Sequence, residues 1–160
     1  MDSVRDAGEA LYLACEMEKR AIRLYERALN VFADAPCQAA IRAILCDERN
    51  HLAQFAQMGA SAAGFERAQL LSAQASRVLF PGGLMEAQRK GAFDSVRALY
   101  LYAAEEEQAA AARYGAFASQ LDGPASAAFR QIEREETGHL KKLNDLIRAL
   151  DGPTDTGAED

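Results

Sequence analysis

The chain has 160 residues, of which 49% are apolar and 26% are charged, and its formal net charge is −6 at pH 7. This length fits one domain, and the acidic balance argues against nucleic acid or an anionic membrane as the main partner. The first residues carry neither a basic segment nor an apolar run, and no stretch approaches the roughly 18 apolar residues of a membrane span. We therefore expect a cytoplasmic protein.

Three cysteines are present, Cys15, Cys37 and Cys46, and none forms a C-x-x-C pair. An odd number without that spacing encodes neither a disulfide framework nor a rubredoxin-type or zinc-ribbon site. We expect at least Cys15 and Cys46 to be buried as small apolar side chains.

Four long stretches have apolar residues at three- and four-residue steps, which predicts four helices. The first stretch runs from Leu11 to Phe32 and the second from Ile41 to Met58, with a break at residues 34–36. Because a short loop makes neighbouring helices antiparallel, these two are expected to form a hairpin.

A second hairpin is predicted towards the C-terminus. Asp94 and Ser95 are typical of an N-cap for a third helix, and the turn at residues 122–124 places a proline at the start of a fourth helix, which continues to Leu150. The last ten residues, 151–160, are acidic and rich in Gly, Pro and Thr. We expect them to be a disordered tail.

The connection between the hairpins, residues 59–94, is long enough to run the length of a bundle, which allows helix three to lie parallel to helix two. Residues 65–79 are expected to form a short helix within it. The sequence thus predicts an all-α protein whose single domain, residues 1–150, is a four-helix bundle of two antiparallel hairpins joined by a long crossover. Exposed apolar residues of the crossover favour a homodimer: Leu70, Leu71, Val78, Leu79 and Phe80.

The only two histidines each follow a glutamate by three residues. His51 follows Glu48, and His139 follows Glu136. Positions i and i+3 share one face of a helix, so each segment presents a carboxylate and an imidazole together. Two such pairs can make a two-metal site.

The first helix of each hairpin carries a glutamate in the same pattern, E-x-x-A-x-x-x-Y, which begins at Glu18 and at Glu107. In each hairpin the turn lies near the midpoint between this glutamate and the glutamate of the E-x-x-H segment. Glu18 and Glu48, and likewise Glu107 and Glu136, are therefore expected at about the same height in the bundle. All four glutamates lie on apolar stripes and are expected to point into the core. Buried carboxylates need protons or metal ions to neutralise them.

One Glu from each of two helices and a Glu-x-x-His from each of the other two form the ligand set of ferritin-like di-iron and di-manganese proteins. The chain from about Glu9 to Leu150, apart from the crossover, resembles the rubrerythrin branch of that superfamily. The resemblance implies a ferritin-like bundle in which Glu48 and Glu136 bridge two non-haem iron ions, with manganese as the other option. The implied metal ligands are Glu18, Glu48, His51, Glu107, Glu136 and His139, and no catalytic residue beyond the metal centre is implied.

Further residues are expected to support these ligands. By the same resemblance, the acid before each E-x-x-H accepts the N–H of the histidine on the opposite helix, which pairs Asp47 with His139 and Glu135 with His51. Two tyrosine hydroxyls are expected to reach ligand carboxylates across the bundle, and core packing alone is the alternative for both. They belong to Tyr25 and Tyr114.

Two features of full rubrerythrins are missing. No C-x-x-C pair exists to bind the iron of a rubredoxin domain, so electrons would have to come from a separate protein. Ala110 stands where rubrerythrins carry an extra glutamate three residues after the ligand of helix three, and Ala21 is the equivalent position of helix one. The other acids of these helices, Glu16, Glu105 and Glu106, fall on the solvent-facing sides.

The resemblance implies a di-iron oxidoreductase of oxidative stress that reduces hydrogen peroxide or dioxygen, or oxidises Fe(II), with an external electron-donor protein. Non-catalytic iron binding, storage or delivery is one alternative, and storage requires a self-assembled shell. A di-iron oxygenase acting on an organic substrate is the second alternative, and it requires an apolar pocket beside the metals. The ligand pattern favours an enzyme without deciding among these.

Overall fold

The computed structural model describes residues 4–71 and 83–152, and within them the chain is all-helical. Four helices are long and two are short. In chain order the helices are α1 (Ala7–Val31), α2 (Ala35–Ala60), α3 (65–71, up to the end of the first described segment), α4 (Leu84–Arg89), α5 (Val96–Gln120) and α6 (Gly123–Asp151).

Local sequence signals explain where the long helices begin. Asp6, Asp34 and Ser95 cap α1, α2 and α5, and each accepts a hydrogen bond from the backbone N–H three residues later, at 2.8, 2.8 and 3.0 Å. Pro36 and Pro124 lie in the first turns of α2 and α6, where the missing N–H costs no helical hydrogen bond.

The long helices pack as two hairpins, α1 with α2 and α5 with α6, which meet along α1 and α5 and along α2 and α6. Tyr25 contacts Glu107 and Tyr114 contacts Glu18, so α1 and α5 run in opposite directions. Because α2 is also antiparallel to α1, α5 is parallel to α2, as the long connection allows.

The apolar core is divided into two clusters by six buried polar residues. One cluster surrounds Leu24, Ile41 and Leu99, and the other surrounds Leu11 and Phe129. Along each long helix the order is one cluster, then the polar residues, then the other cluster. These polar residues, called the polar layer below, are Glu18, Glu48, His51, Glu107, Glu136 and His139.

The ends of the domain differ slightly from the sequence-based expectation. Asp151, assigned to the tail, is the last residue of α6, and its carboxylate accepts a hydrogen bond from Nε of Arg97 at 2.6 Å. The predicted disorder of residues 153–160 lies outside the described residues.

The crossover is described only in part. Leu70 and Leu71 are exposed, as expected, whereas residues 72–82, including Val78, Leu79 and Phe80, lie outside the described residues. The short helix α4 was not predicted, because six residues are too few for a periodic apolar pattern.

The same substitution, glycine to alanine, is expected to have opposite effects on stability at two positions. Gly138 is exposed within α6 and an added Cβ would meet no atom within 4 Å, so Gly138→Ala should stabilise the fold by about 0.5–1 kcal/mol. At Gly8 an added Cβ would lie 2.2 Å from the backbone oxygen of Ala63, so Gly8→Ala should destabilise it. Urea unfolding of both variants checks these opposite signs, and equal shifts would contradict them.

Candidate metal centre

The structure brings the six predicted metal ligands together in the polar layer. Their relative exposures range from 1% for Glu18 and Glu136 to 7% for His139. α1 and α5 each contribute one glutamate, and α2 and α6 each contribute a glutamate and a histidine one turn apart. Helical periodicity turns these side chains inward, because they share the stripes that carry the apolar core.

The polar layer contains two overlapping groups that could hold metal ions. The first consists of Glu18, Glu48, His51 and Glu136, and the second of Glu48, Glu107, Glu136 and His139. Within each group, one ligand atom from every residue lies within 4.8 Å of the others. Glu48 and Glu136 belong to both groups, so the arrangement can hold two cations side by side with two shared carboxylates.

Both histidines present Nδ1 to the centre of the layer. Nδ1 of His51 lies 3.1 Å from Oε1 of Glu136, and Nδ1 of His139 lies 3.1 Å from Oε1 of Glu48. Each histidine of one hairpin therefore approaches the shared glutamate of the other hairpin. The centre is assembled only when the two hairpins pack together.

The other ring nitrogen, Nε2, faces the acid predicted to orient it. Nε2 of His51 is 2.8 Å from Oε2 of Glu135, and Nε2 of His139 is 3.1 Å from Oδ2 of Asp47. A carboxylate at Nε2 favours the tautomer with its proton there, which leaves the Nδ1 lone pair available to a cation.

Two buried tyrosines cross from one hairpin to the other. The hydroxyl of Tyr25 donates to Oε1 of Glu107, and that of Tyr114 donates to Oε1 of Glu18 at 2.5 Å. Burial and neighbouring carboxylates raise the pKa of both hydroxyls well above the ordinary value. Both tyrosines therefore keep their protons and orient the carboxylates they contact.

Burial dominates the electrostatics of the layer when no cation is bound. It raises the pKa of Glu107 to about 7, that of Glu48 well above its usual range, and that of Glu18 in the same direction. Burial also raises the pKa of Glu136, but its contacts with both histidines outweigh burial and lower the pKa of Glu136 to about 2. Burial lowers the pKa of His51, but the carboxylates around it, Glu136 foremost, together outweigh burial and raise that pKa to about 9.

These shifts mean that the cation-free layer retains protons at neutral pH. Divalent cations require ionised carboxylates and neutral imidazoles, so they would displace those protons. We therefore expect the affinity of the layer for a cation to increase with pH.

Neighbouring acids and one cysteine lie outside the layer. Glu105 and Glu106 are exposed, and Glu16 is half-buried and accepts a hydrogen bond from Lys19 at 2.7 Å. Cys46 is exposed, so the expectation that it is buried was wrong; Cys37 is buried instead. The apolar stripe of α2 does not include Cys46, which lies on the opposite side of the helix from Glu48.

A cavity of about 230 Å³ between α1 and α5 reaches the polar layer. Sequence reasoning did not identify three larger side chains of its lining, Arg20, Tyr102 and Arg113. The only sequence signal for the cavity was an alanine three residues after Glu18 and another three residues after Glu107. These small residues, Ala21 and Ala110, both line the cavity.

Within residues 4–71 and 83–152, no helix is both long and apolar enough to span a membrane. Comparisons of the chain with known protein families, with curated proteins and with solved structures found no match. The buried polar layer, which could hold metal ions, is the observation from which a function can be inferred.

Proposed function

We propose that the chain is a ferritin-like, rubrerythrin-type oxidoreductase with a dinuclear metal centre in the polar layer. In this proposal the protein reduces hydrogen peroxide or dioxygen, or oxidises Fe(II), with electrons from an external donor protein. The observation that carries it is the pair of overlapping ligand groups that share Glu48 and Glu136.

The residues present fit two cations by their chemistry. Four buried atoms of the layer make no hydrogen bond of proper geometry within the described residues, although Nδ1 of His51 and Oε1 of Glu136 are 3.1 Å apart: Oε2 of Glu18, Oε1 of Glu48, Nδ1 of His51 and Oε1 of Glu136. Unsatisfied buried polar atoms are costly, and a cation supplies the missing partner for all four. Two divalent cations would also balance the charge of four carboxylates.

The donor set bears on which metal would bind. Carboxylate oxygens with one imidazole for each cation suit iron or manganese, and no cysteine thiolate lies among them to select a softer metal. We propose iron, with manganese as the other option. When bound, two Fe(II) ions would supply the two electrons that, with two protons, reduce hydrogen peroxide to two water molecules.

The chain's own residues position the ligands and hold protons near them. Tyr25 and Tyr114 keep their hydroxyl protons against Glu107 and Glu18. The apolar clusters on both sides limit the access of water to the layer, which strengthens its electrostatic interactions. A small molecule can reach the layer from solvent through the cavity between α1 and α5.

Ala110 distinguishes this centre from that of full rubrerythrins. No carboxylate is available at that position for a ligand exchange, so the centre is expected to keep the same six ligands in both oxidation states. This expectation follows from the resemblance and from the alanine that lines the cavity there.

Anaerobic loading with Fe(II), followed by stopped-flow mixing with hydrogen peroxide, tests the proposed reaction. We expect ferric absorption to develop as one peroxide is consumed for each pair of Fe(II) ions. Glu105→Gln, an exposed substitution outside the layer, should leave the rate unchanged. A chain that binds two Fe(II) ions and shows no ferric absorption would refute the redox function and leave iron binding or delivery.

The cavity favours one alternative from the sequence analysis, a di-iron oxygenase acting on an organic substrate. Such an enzyme requires an apolar pocket beside the metals, and the cavity has that position and lining. Reaction of the Fe(II)-loaded protein with isotopically labelled dioxygen and added organic acids would discriminate this alternative, because only an oxygenase incorporates labelled oxygen into the acid.

A further inference from the structure

The cavity between α1 and α5 has a buried inner end and an exposed outer end. Buried residues of the polar layer and the rings of Tyr25 and Tyr114 form the inner end. Glu106, Ala109 and Arg113 are exposed and form the outer end. The cavity therefore connects the surface to the layer.

Its size and its walls do not match hydrogen peroxide or dioxygen alone. A cavity that holds one water molecule needs a volume of only about 10–15 Å³, whereas this cavity has about 230 Å³. Apolar side chains also line the cavity, among them Ala21, Leu24, Ala87 and Ala110. An apolar passage of this volume fits a small organic molecule.

The charge at the outer end selects the kind of molecule. Arg20 and Arg113 contribute positive charge to the lining, and among the exposed lining residues of the described segments Glu106 is the one acid. Arg113 makes no ion pair with any residue of the described segments. A guanidinium group can bind a carboxylate through two parallel hydrogen bonds. The four carboxylates of the inner end would repel an anion, so a negative group belongs at the outer end.

We propose that this cavity binds a small organic carboxylate, with its carboxylate at Arg113 and its apolar portion directed towards the polar layer. This inference rests on the metal centre of the proposed function, and it names the class of organic substrate that the oxygenase alternative would require. Cations in the layer would neutralise the inner end, so the apolar portion would face a wall without net charge.

Hexanoate and the Mn(II)-loaded protein provide a direct test of orientation. Mn(II) is paramagnetic, and its effect on the relaxation of probe protons decreases steeply with distance. We expect the terminal methyl protons of hexanoate to relax faster than the methylene protons beside its carboxylate. The reverse order would show that the carboxylate binds the metal directly and would overturn the proposed orientation.

Calorimetry with the Zn(II)-loaded protein tests the contacts. Arg113→Gln should weaken hexanoate binding about three- to fivefold, as expected for a partly exposed ion pair, and should not affect hexanol. Arg23→Gln on α1 is the matched control, since Arg23 is exposed and does not line the cavity. Equal losses in the two variants would contradict a specific role for Arg113.

Filling the cavity tests the site independently of charge. Ala110→Leu should weaken both hexanoate and hexanol by roughly tenfold or more, because the larger side chain occupies their space. Ala112→Leu, at an exposed position of the same helix, should change neither. Unchanged affinity in Ala110→Leu would overturn the proposal.

Metal content measured in the same samples distinguishes a failure of the proposed metal centre from a failure of the proposed carboxylate site. A chain that binds neither Mn(II) nor Zn(II) would overturn the metal centre and the cavity proposal together. A metal-loaded chain that does not bind hexanoate would overturn the cavity proposal alone.

Discussion

Glu48→Gln is expected to remove both metal ions from the chain, whereas Glu18→Gln is expected to remove only one. Glu48 belongs to both ligand groups, and Glu18 belongs to one. By the same geometry, Glu136→Gln should behave like Glu48→Gln, and Glu107→Gln like Glu18→Gln. The difference between shared and unshared glutamates is specific to a dinuclear centre.

The expected losses are large. Removing a group that only supports a metal ligand already costs ~10–100-fold in affinity, so replacing a ligating oxygen should cost roughly a hundredfold or more at each affected ion. The histidines provide a second comparison, because His51→Ala and His139→Ala should each weaken a different ion.

Equilibrium dialysis with metal analysis measures the number of ions retained by each variant. Glu105→Gln is the control, since this exposed glutamate lies on α5 two residues before Glu107 and outside the polar layer. Equal losses in all four layer variants would argue for a single ion, and losses in Glu105→Gln would argue for surface binding.

The second large effect concerns the stability of the cation-free chain, which should decrease as pH rises from about 5 to 9. Glu107 has a pKa of about 7 in the folded protein against 4.5 as a model group, so its contribution is complete below 4.5 and is lost through 7. His51 has a pKa of about 9 against 6.5, so its contribution is complete below 6.5 and is lost through 9.

The other groups do not reverse this direction. The pKa values of Glu48 and Glu18 are also raised, so they act with Glu107. The pKa of Glu136 is lowered to about 2, so its contribution is present above 4.5 and changes only in more acidic solution. The shift of one buried carboxyl from 4.5 to about 7 corresponds to roughly 3 kcal/mol.

Bound cations should reverse the sign of the pH dependence of stability. They bind the ionised carboxylates and neutral imidazoles, which carry protons in the cation-free protein. Urea unfolding at a series of pH values, with a chelator and with Mn(II), measures both slopes. Glu48→Gln should flatten the slope of the chelated protein and abolish the stabilisation by Mn(II). A cation-free protein whose stability increases from pH 5 to 9 would contradict the described electrostatics.

Much of the fold follows from local patterns in the sequence. The apolar periodicity, the break at residues 34–36 and the capping residue Ser95 predicted the long helices, because these signals act within a few residues. The number of residues between Glu18 and Glu48, with the turn near the midpoint, places the two glutamates at the same height, so the sequence alone predicts them in one layer.

Other features depend on packing that no local pattern encodes. The cavity lies between α1 and α5, where two small residues, Ala21 and Ala110, form part of its lining. Its existence could be inferred only after the relative positions of the hairpins were known.

The central claim is a dinuclear centre in the polar layer, and anomalous X-ray scattering from iron-loaded crystals tests it most directly. We predict two iron peaks in each chain, both beside Glu48 and Glu136, with one peak next to His51 and the other next to His139. A single peak in the layer, or iron bound only to exposed surface acids, would contradict the claim.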